Sequence, residues 1–420
     1  MRTGQCGKPP PRPATSLRSS FAWTLAGNVI YAAAQWAVLS LVAKLGGSEM
    51  LGQYALAVAL TTPLVMLSHL NLRAVLATDV DGRQPFGDYV AVGIAVSGFS
   101  LVGIAILALV SGHSRPLAAV ILVTGLAQSS ETVSDIYYGA MQRRDEMELI
   151  ARSMIARGLV SVCAFGLVLY VFRDLVWALA AVAAGRVALL LAYDRPRGTA
   201  GESLARSGLA AEVSILRTAI PLGVMLLLVS LNTNLPRYAI ERYLGVSELG
   251  VFAAVASFMT VGSTVVNALG QAATPRLARH FSRRESRHFL RLTFLLAASV
   301  CALGVAGVVV AAAFGETILG VVYRPEYAAH GGLLIAVMGT AIPSYVAIAL
   351  GYAITAARAF DAQVPLFCVV AASCGGASWL LVPRFGLRGA ALSLAIAASV
   401  QIGGEALILA RATRRSEAAG

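Results

Sequence analysis

Gln128, Glu131, Asp135, Tyr138 and Gln142 recur at steps of three and four residues within "QSSETVSDIYYGAMQ" (128–142). That spacing puts all five on one face of a helix. The stretch continues the apolar run "PLAAVILVTGLA", so two carboxylates stand where the chain is ready to lie in lipid. Three other apolar segments carry comparable stripes. One holds Ser257, Thr260, Thr264, Asn267 and Gln271; one holds Asn28, Tyr31 and Gln35; one holds Ser230, Asn234 and Arg237, with Asn232 close by. In lipid such faces turn inward or toward water. They act either as helix–helix glue, a common use of Ser, Thr and Asn, or as the lining of a polar pathway.

The charged residues sharpen that choice. A helical hairpin turning near residue 145 sets Arg157 level with residue 133, given equal rise on both sides. Arg157 is therefore expected between Glu131 and Asp135, where a partner lowers the cost of charge in lipid. The leftover negative charge reads as a proton or cation site, or else as part of a network that only fixes packing. Arg186, inside a later span, and Arg73, in "SHLNLRAVLATD", would add to a cationic mouth suited to phosphate. For Arg73, snorkelling to the interface is the competing reading. Glu405 is an isolated carboxylate in the last span, and its role is open between function and packing.

The elements that must position these residues follow from composition. Of 420 residues, 58% are hydrophobic and 13% charged, with a mean hydropathy of +0.75. Soluble chains carry about a quarter charged residues. Twelve apolar runs approach the ~20 residues needed to cross a bilayer. They lie at 21–44, 50–72, 89–110, 116–141, 148–172, 174–193, 214–235, 248–273, 289–313, 329–354, 362–382 and 387–410. The runs are continuous rather than alternating, which selects helices over a barrel. Of 33 Lys and Arg, 23 fall on the segments that share a side with the N-terminus and 8 on the other side. That asymmetry places both termini in the cytoplasm. It also accounts for the net charge of +12 without nucleic acid. Trp23, Trp36, Trp177 and Trp379 fall near the expected span ends. None of Cys6, Cys163, Cys301, Cys368 and Cys374 has metal-ligand spacing, and no HExxH, Walker A or GxSxG motif occurs.

"LGGSEMLGQYALAV" (45–58) reappears as "LGVSELGVFAAV" (244–255). Each copy joins the first and second spans of a six-span half, with Ser48 and Ser247 as expected helix N-caps. An even span count gives both halves the same orientation, hence a parallel repeat. The expected fold is all-α and membrane-integral: about twelve helices in two six-helix bundles, related by a pseudo-two-fold axis along the membrane normal. The expected divisions are a disordered basic tail (1–19), the first bundle (20–193), a cytoplasmic linker (194–213), the second bundle (214–411) and a cytoplasmic tail (412–420).

The segments "LSHLNLRAVLATD", "ETVSDIYYGAMQRRDEM", "LRTAIPLGVMLLLVSLNTNLPRYAIERYLGVSELGVFAAV" and "FGLRGAALSLAIAASV" resemble the polysaccharide transporters. These are lipid-linked oligosaccharide flippases of the multidrug/oligosaccharidyl-lipid/polysaccharide exporter superfamily. The resemblance runs from about residue 20 to 411. It implies a V of two bundles around a central cavity, in the bacterial inner membrane. It implies translocation of polyprenyl-diphosphate-linked sugar repeat units, with no cofactor and with coupling to H+ or Na+. The implied partners are membrane lipids, a polysaccharide polymerase and glycosyltransferases. The extra helices of lipid II flippases are not expected, which disfavours a peptidoglycan precursor. Candidate substrate contacts are Arg73, Arg157, Arg186, Asn28, Gln35, Asn232, Asn234, Arg237 and Asn267; candidate coupling residues are Glu131, Asp135 and Glu405. A drug/cation antiporter of the same fold is the first alternative. A membrane glycan polymerase or glycosyltransferase is the second, although the loops are short and no DxD-type site is found.

Overall fold

A computed structural model describes residues 17–79, 84–359 and 362–418. Most of the basic tail expected at 1–19 lies outside these residues. Every element among them is helical. In order they are α1 (Leu17–His69), α2 (Leu72–Thr78), α3 (Phe86–Val110), α4 (Arg115–Arg143), α5 (Met147–Phe172), α6 (Leu175–Leu189), a π-helical turn at Leu190–Asp194, α7 (Arg195–Gly198), α8 (Leu209–Leu244), α9 (Val246–Ser282), α10 (Ser286–Val322), α11 (Pro325–Ala328), α12 (Gly331–Ala356), α13 (Gln363–Phe385) and α14 (Leu387–Ala418). Eleven helical stretches among the described residues are long and apolar enough to cross a membrane. The first breaks at Gly47 (φ 78°, ψ −173°), so its arms 17–46 and 48–69 are separate spans. Twelve spans result, as the apolar runs require.

A positive φ at that reversal suits glycine, which has no Cβ to clash. The second half repeats the device one residue out of register, at Gly245 (φ 94°) between α8 and α9. Ser48 and Ser247 are not the expected caps. Gly245 occupies the cap position of α9, with no side-chain cap bond. The two serine hydroxyls instead meet each other, Oγ to Oγ at 2.8 Å.

That contact locates the symmetry. Equivalent surfaces that touch each other must lie on a two-fold axis. Gly52 packs against the carbonyl of Val246, and Gly250 packs reciprocally against the carbonyl of Ser48. The spans form two groups, α1–α6 and α8–α14, each packed mainly within itself and joined along a seam of α1 with α8 and α9. At the end that holds Gly47 the seam is closed. Arg324 donates to the Lys44 carbonyl at 2.9 Å, and His113 lies 3.6 Å from Glu241 across it. Trp36 also belongs to the seam rather than to a span end, donating to Ser257 Oγ at 3.2 Å.

At the opposite end the segment between the groups is strapped down. Ser207 N donates to the buried Asp88 carboxylate at 3.0 Å, and Gly87 N donates to the Ser203 carbonyl at 3.2 Å. Arg143 pairs with Glu202 at 2.6 Å, while Arg144 donates to the Arg197 carbonyl at 2.7 Å. The strap crosses Gly87 so closely that a Cβ there would stand 2.4 Å from the Ala205 carbonyl. Gly87→Val is therefore expected to lift residues 203–207 without unfolding the bundle. Overpacking of this kind costs about 1–3 kcal/mol, enough for roughly tenfold faster tryptic cleavage at Arg206. An unchanged cleavage rate in a well-folded variant would show that the strap does not bear on α3.

Candidate functional site

The polar stripe of α4 faces a cavity of about 330 Å³ inside the first group. Glu131 Oε2 pairs with Arg186 Nη1 at 3.1 Å, and Glu131 Oε1 accepts the hydroxyl of Tyr31 from α1. Arg186 also donates to Gln35 Oε1 at 3.2 Å and to Ser161 Oγ at 3.3 Å. One turn along α4, Asp135 Oδ2 lies 2.7 Å from His69 Nε2. A carboxylate accepts, so that nitrogen carries the hydrogen. Arg73 Nη1 stands 3.8 Å from the other Asp135 oxygen, and its Nε donates to Gln142 at 2.9 Å. His69 is the last residue of α1. Leu70 and Asn71, which follow, are both left-handed at φ 49°. Such a conformation costs about 1–2 kcal/mol per non-glycine residue, so the break beside His69 is held by its surroundings.

Arg157 is not between Glu131 and Asp135. It pairs with Asp194 at 2.8 Å, the two side chains being 1% and 0% exposed. Ser153 donates to the other Asp194 oxygen at 2.5 Å and accepts from Tyr138 at 2.6 Å. The expectation erred because it ended span six at residue 193 and gave Asp194 to a solvated linker. The helix instead continues through a π-helical turn to Gly198. That turn keeps Asp194 on the α5-facing side, and the first group then contains three arginine–carboxylate pairs: Arg73–Asp135, Arg157–Asp194 and Arg186–Glu131.

Two larger cavities, each of about 520 Å³, meet at Arg237 on α8. The one along the seam is apolar, with Val29, Trp36, Leu39, Val58, Val261 and Val265 in its wall. The one inside the second group carries more polar groups among its apolar side chains, with Asn232, Asn267, Tyr352, Gln363, Gln401 and Glu405 in its wall. Tyr352 donates to Asn267 Oδ1 at 3.2 Å. Glu405 is 1% exposed and accepts from Gln401 at 3.0 Å. Its Oε2, like Asn232 Oδ1, has no partner among the described residues. Arg237 was counted with the external loops by charge, but α8 runs on to Leu244 and keeps it in the wall of both cavities. Its side-chain bond among the described residues is to Asn234 Oδ1 at 3.1 Å, a neutral partner.

Gln35, Glu131, Asp135 and Arg186 of the candidates thus gather around the first cavity, and Asn232, Arg237, Asn267 and Glu405 around the polar one. Asn234 is buried and bonds back to the Ser230 carbonyl at 2.9 Å. Asn28 is exposed and bonds to the Thr24 carbonyl at 2.8 Å. Arg73 and Arg157 stand behind the cavities as ion-pair partners. Sequence reasoning missed His69 and Asp194. A histidine ending an apolar run two residues before Asn-Leu-Arg was a signal for the first; nothing in spacing marked the second.

Comparisons with known proteins agree with this architecture. A family described as polysaccharide biosynthesis protein matches residues 17–281. The chain is 24% identical over 391 residues to the capsular polysaccharide biosynthesis protein CapF of Staphylococcus aureus, covering 91% of this chain and 96% of CapF. Among solved structures it is similar to the lipid II flippase MurJ in an inward closed conformation. The TM-score is 0.73 at 9% identity, over 94% of this chain and 90% of that one. The Vibrio cholerae MATE transporter VcmN is similar with a TM-score of 0.66 at 13% identity, over 95% and 96%.

Proposed function

Since the chain belongs to the polysaccharide biosynthesis protein family, we propose that it is a flippase for polyprenyl-diphosphate-linked oligosaccharide repeat units, working by alternating access in a bacterial inner membrane. The observation that carries this reading is Arg237. The three intramembrane arginines of the first group each have a carboxylate. Among the described residues Arg237 has an amide as its side-chain partner, at the junction of the two larger cavities. A cation without counter-charge in a low-dielectric site favours an anionic ligand, and a guanidinium binds phosphate oxygens in pairs. A diphosphate at Arg237 sends the prenyl chain along the apolar wall.

The charge asymmetry orients both termini to the cytoplasm, so the closed Gly47 end is external and the cavities load from inside. Glycosyltransferases would supply the substrate and a polymerase would consume it. Coupling falls to protons at His69. Every carboxylate of the first cavity already has an arginine, which leaves the imidazole as the group able to change the net charge. The drug/cation antiporter reading rests on Glu405, and the cationic Arg237 in the same cavity wall disfavours a cationic drug there.

The test is Arg237→Gln in proteoliposomes. Losing a hydrogen bond to a charged group costs about 1.5–3 kcal/mol, or roughly 10- to 100-fold in affinity for undecaprenyl diphosphate. Accumulation of the protein is expected to be unchanged, because no carboxylate is left behind. Wild-type affinity and flipping by Arg237→Gln would overturn the reading.

A further inference from the structure

We infer that the polar cavity of the second group is the glycan subsite, and that Glu405 makes it selective for neutral or amine-bearing sugars over acidic ones. The inference rests on the flippase reading and goes beyond it, since it states where the sugars go and which they are.

Size comes first. A cavity of about 520 Å³ far exceeds the space of an ion, on the order of one water at about 30 Å³. It lies within the ~300–1,000 Å³ of small-molecule sites. Among the described residues no cluster of three His, Cys, Asp or Glu could hold a metal ion. The chemistry of the wall comes second. Asn232, Asn267, Gln363 and Gln401 present amides from α8, α9, α13 and α14, and Tyr352 adds a ring and a hydroxyl from α12. Neutral amides that both donate and accept match sugar hydroxyls, which also do both. Third, Glu405 Oε2 and Asn232 Oδ1 are buried with no partner among the described residues. Buried acceptors are normally satisfied, and a hydroxyl-rich ligand supplies the missing donors.

Placement links the cavity to the diphosphate. Arg237 lines it as well as the apolar cleft, so a sugar attached to a diphosphate at Arg237 can enter it directly. Gly351 leaves the space beside Glu405 open: a Cβ there would stand 3.5 Å from Glu405 Oε1. Two carboxyl groups brought together in such a site cannot both ionise cheaply. A uronic acid entering it must therefore displace a proton balance that a neutral sugar leaves alone.

The test uses purified protein in nanodiscs and three probes: undecaprenyl diphosphate, the same lipid bearing N-acetylglucosamine, and the same lipid bearing glucuronate. In the wild type the N-acetylglucosamine probe is expected to bind about tenfold tighter than the bare diphosphate, and the glucuronate probe no tighter than it. Glu405→Gln, which is nearly isosteric, should keep the affinity for the bare diphosphate and bring the glucuronate probe up to the N-acetylglucosamine one. Asn232→Ala should lose the sugar gain alone. A wild type that gains nothing from the sugar overturns the subsite, and discrimination that survives Glu405→Gln overturns the role of Glu405. Bare diphosphate that fails to bind, with Arg237→Gln making no difference, instead refutes the flippase reading and removes the basis of the subsite with it.

Discussion

Arg157→Gln is expected to cost about 3–5 kcal/mol, the usual result of removing one partner from a buried ion pair, and to deplete the protein from the membrane. Asp194→Asn in the same chain is expected to restore most of the loss. The cost comes from the carboxylate left behind. Asp194 is 0% exposed, and without Arg157 the donor it keeps among the described residues is the Ser153 hydroxyl. With both groups neutral, no buried charge is left without a partner. Neutralising Glu131 and Asp135 should not rescue Arg157→Gln, since each has its own arginine. Thermal midpoints in detergent, read by size-exclusion fluorescence, separate the cases. Rescue by Glu131→Gln with Asp135→Asn, and none by Asp194→Asn, would return Arg157 to the α4 stripe.

This pair also marks how far the sequence could be read. The number of spans, their helical nature and the repeat followed from apolar run length and from "LGGSEM" against "LGVSEL". Those are one-dimensional signals, set by the bilayer and by the chain's own duplication. The stripe of α4 was legible too, because helical spacing is local. Its partners were not. Equal depth along a straight α4–α5 hairpin says nothing of a third helix packed against the same stripe. In the fold, α6 brings Arg186 to Glu131, and the break after α1 brings His69 and Arg73 to Asp135. A π-helical turn that rotates Asp194 inward has no spacing signature. Spacing puts Arg237 in a polar stripe, but that its side-chain partner among the described residues is the neutral Asn234 is a property of the fold.

The crossing of the two repeats is expected to be the most sensitive point of the transport cycle. At Gly52 a Cβ would stand 1.8 Å from the Val246 carbonyl oxygen, and at Gly250 it would stand 1.9 Å from that of Ser48. Both obstacles are backbone, so no rotamer change relieves them. Gly52→Val and Gly250→Val should each force the Gly47 end apart at a cost of about 1–3 kcal/mol or more. Against the small free-energy differences between alternating states, a shift of that size at the upper end moves the population roughly 100-fold. In the proposed alternating-access cycle closure at this end is one half, so on that reading flipping should fall with it while the protein still accumulates. Disulfide formation between Ser48→Cys and Ser247→Cys reports closure directly, because the native hydroxyls are 2.8 Å apart. The cross-link should form readily in the parent and drop at least tenfold in either valine variant. Gly98→Val, where a Cβ meets nothing within 4 Å, should leave it unchanged. Parental cross-linking in both valine variants would mean that the repeats do not need this close approach, and that the seam closes through Arg324 and His113 instead.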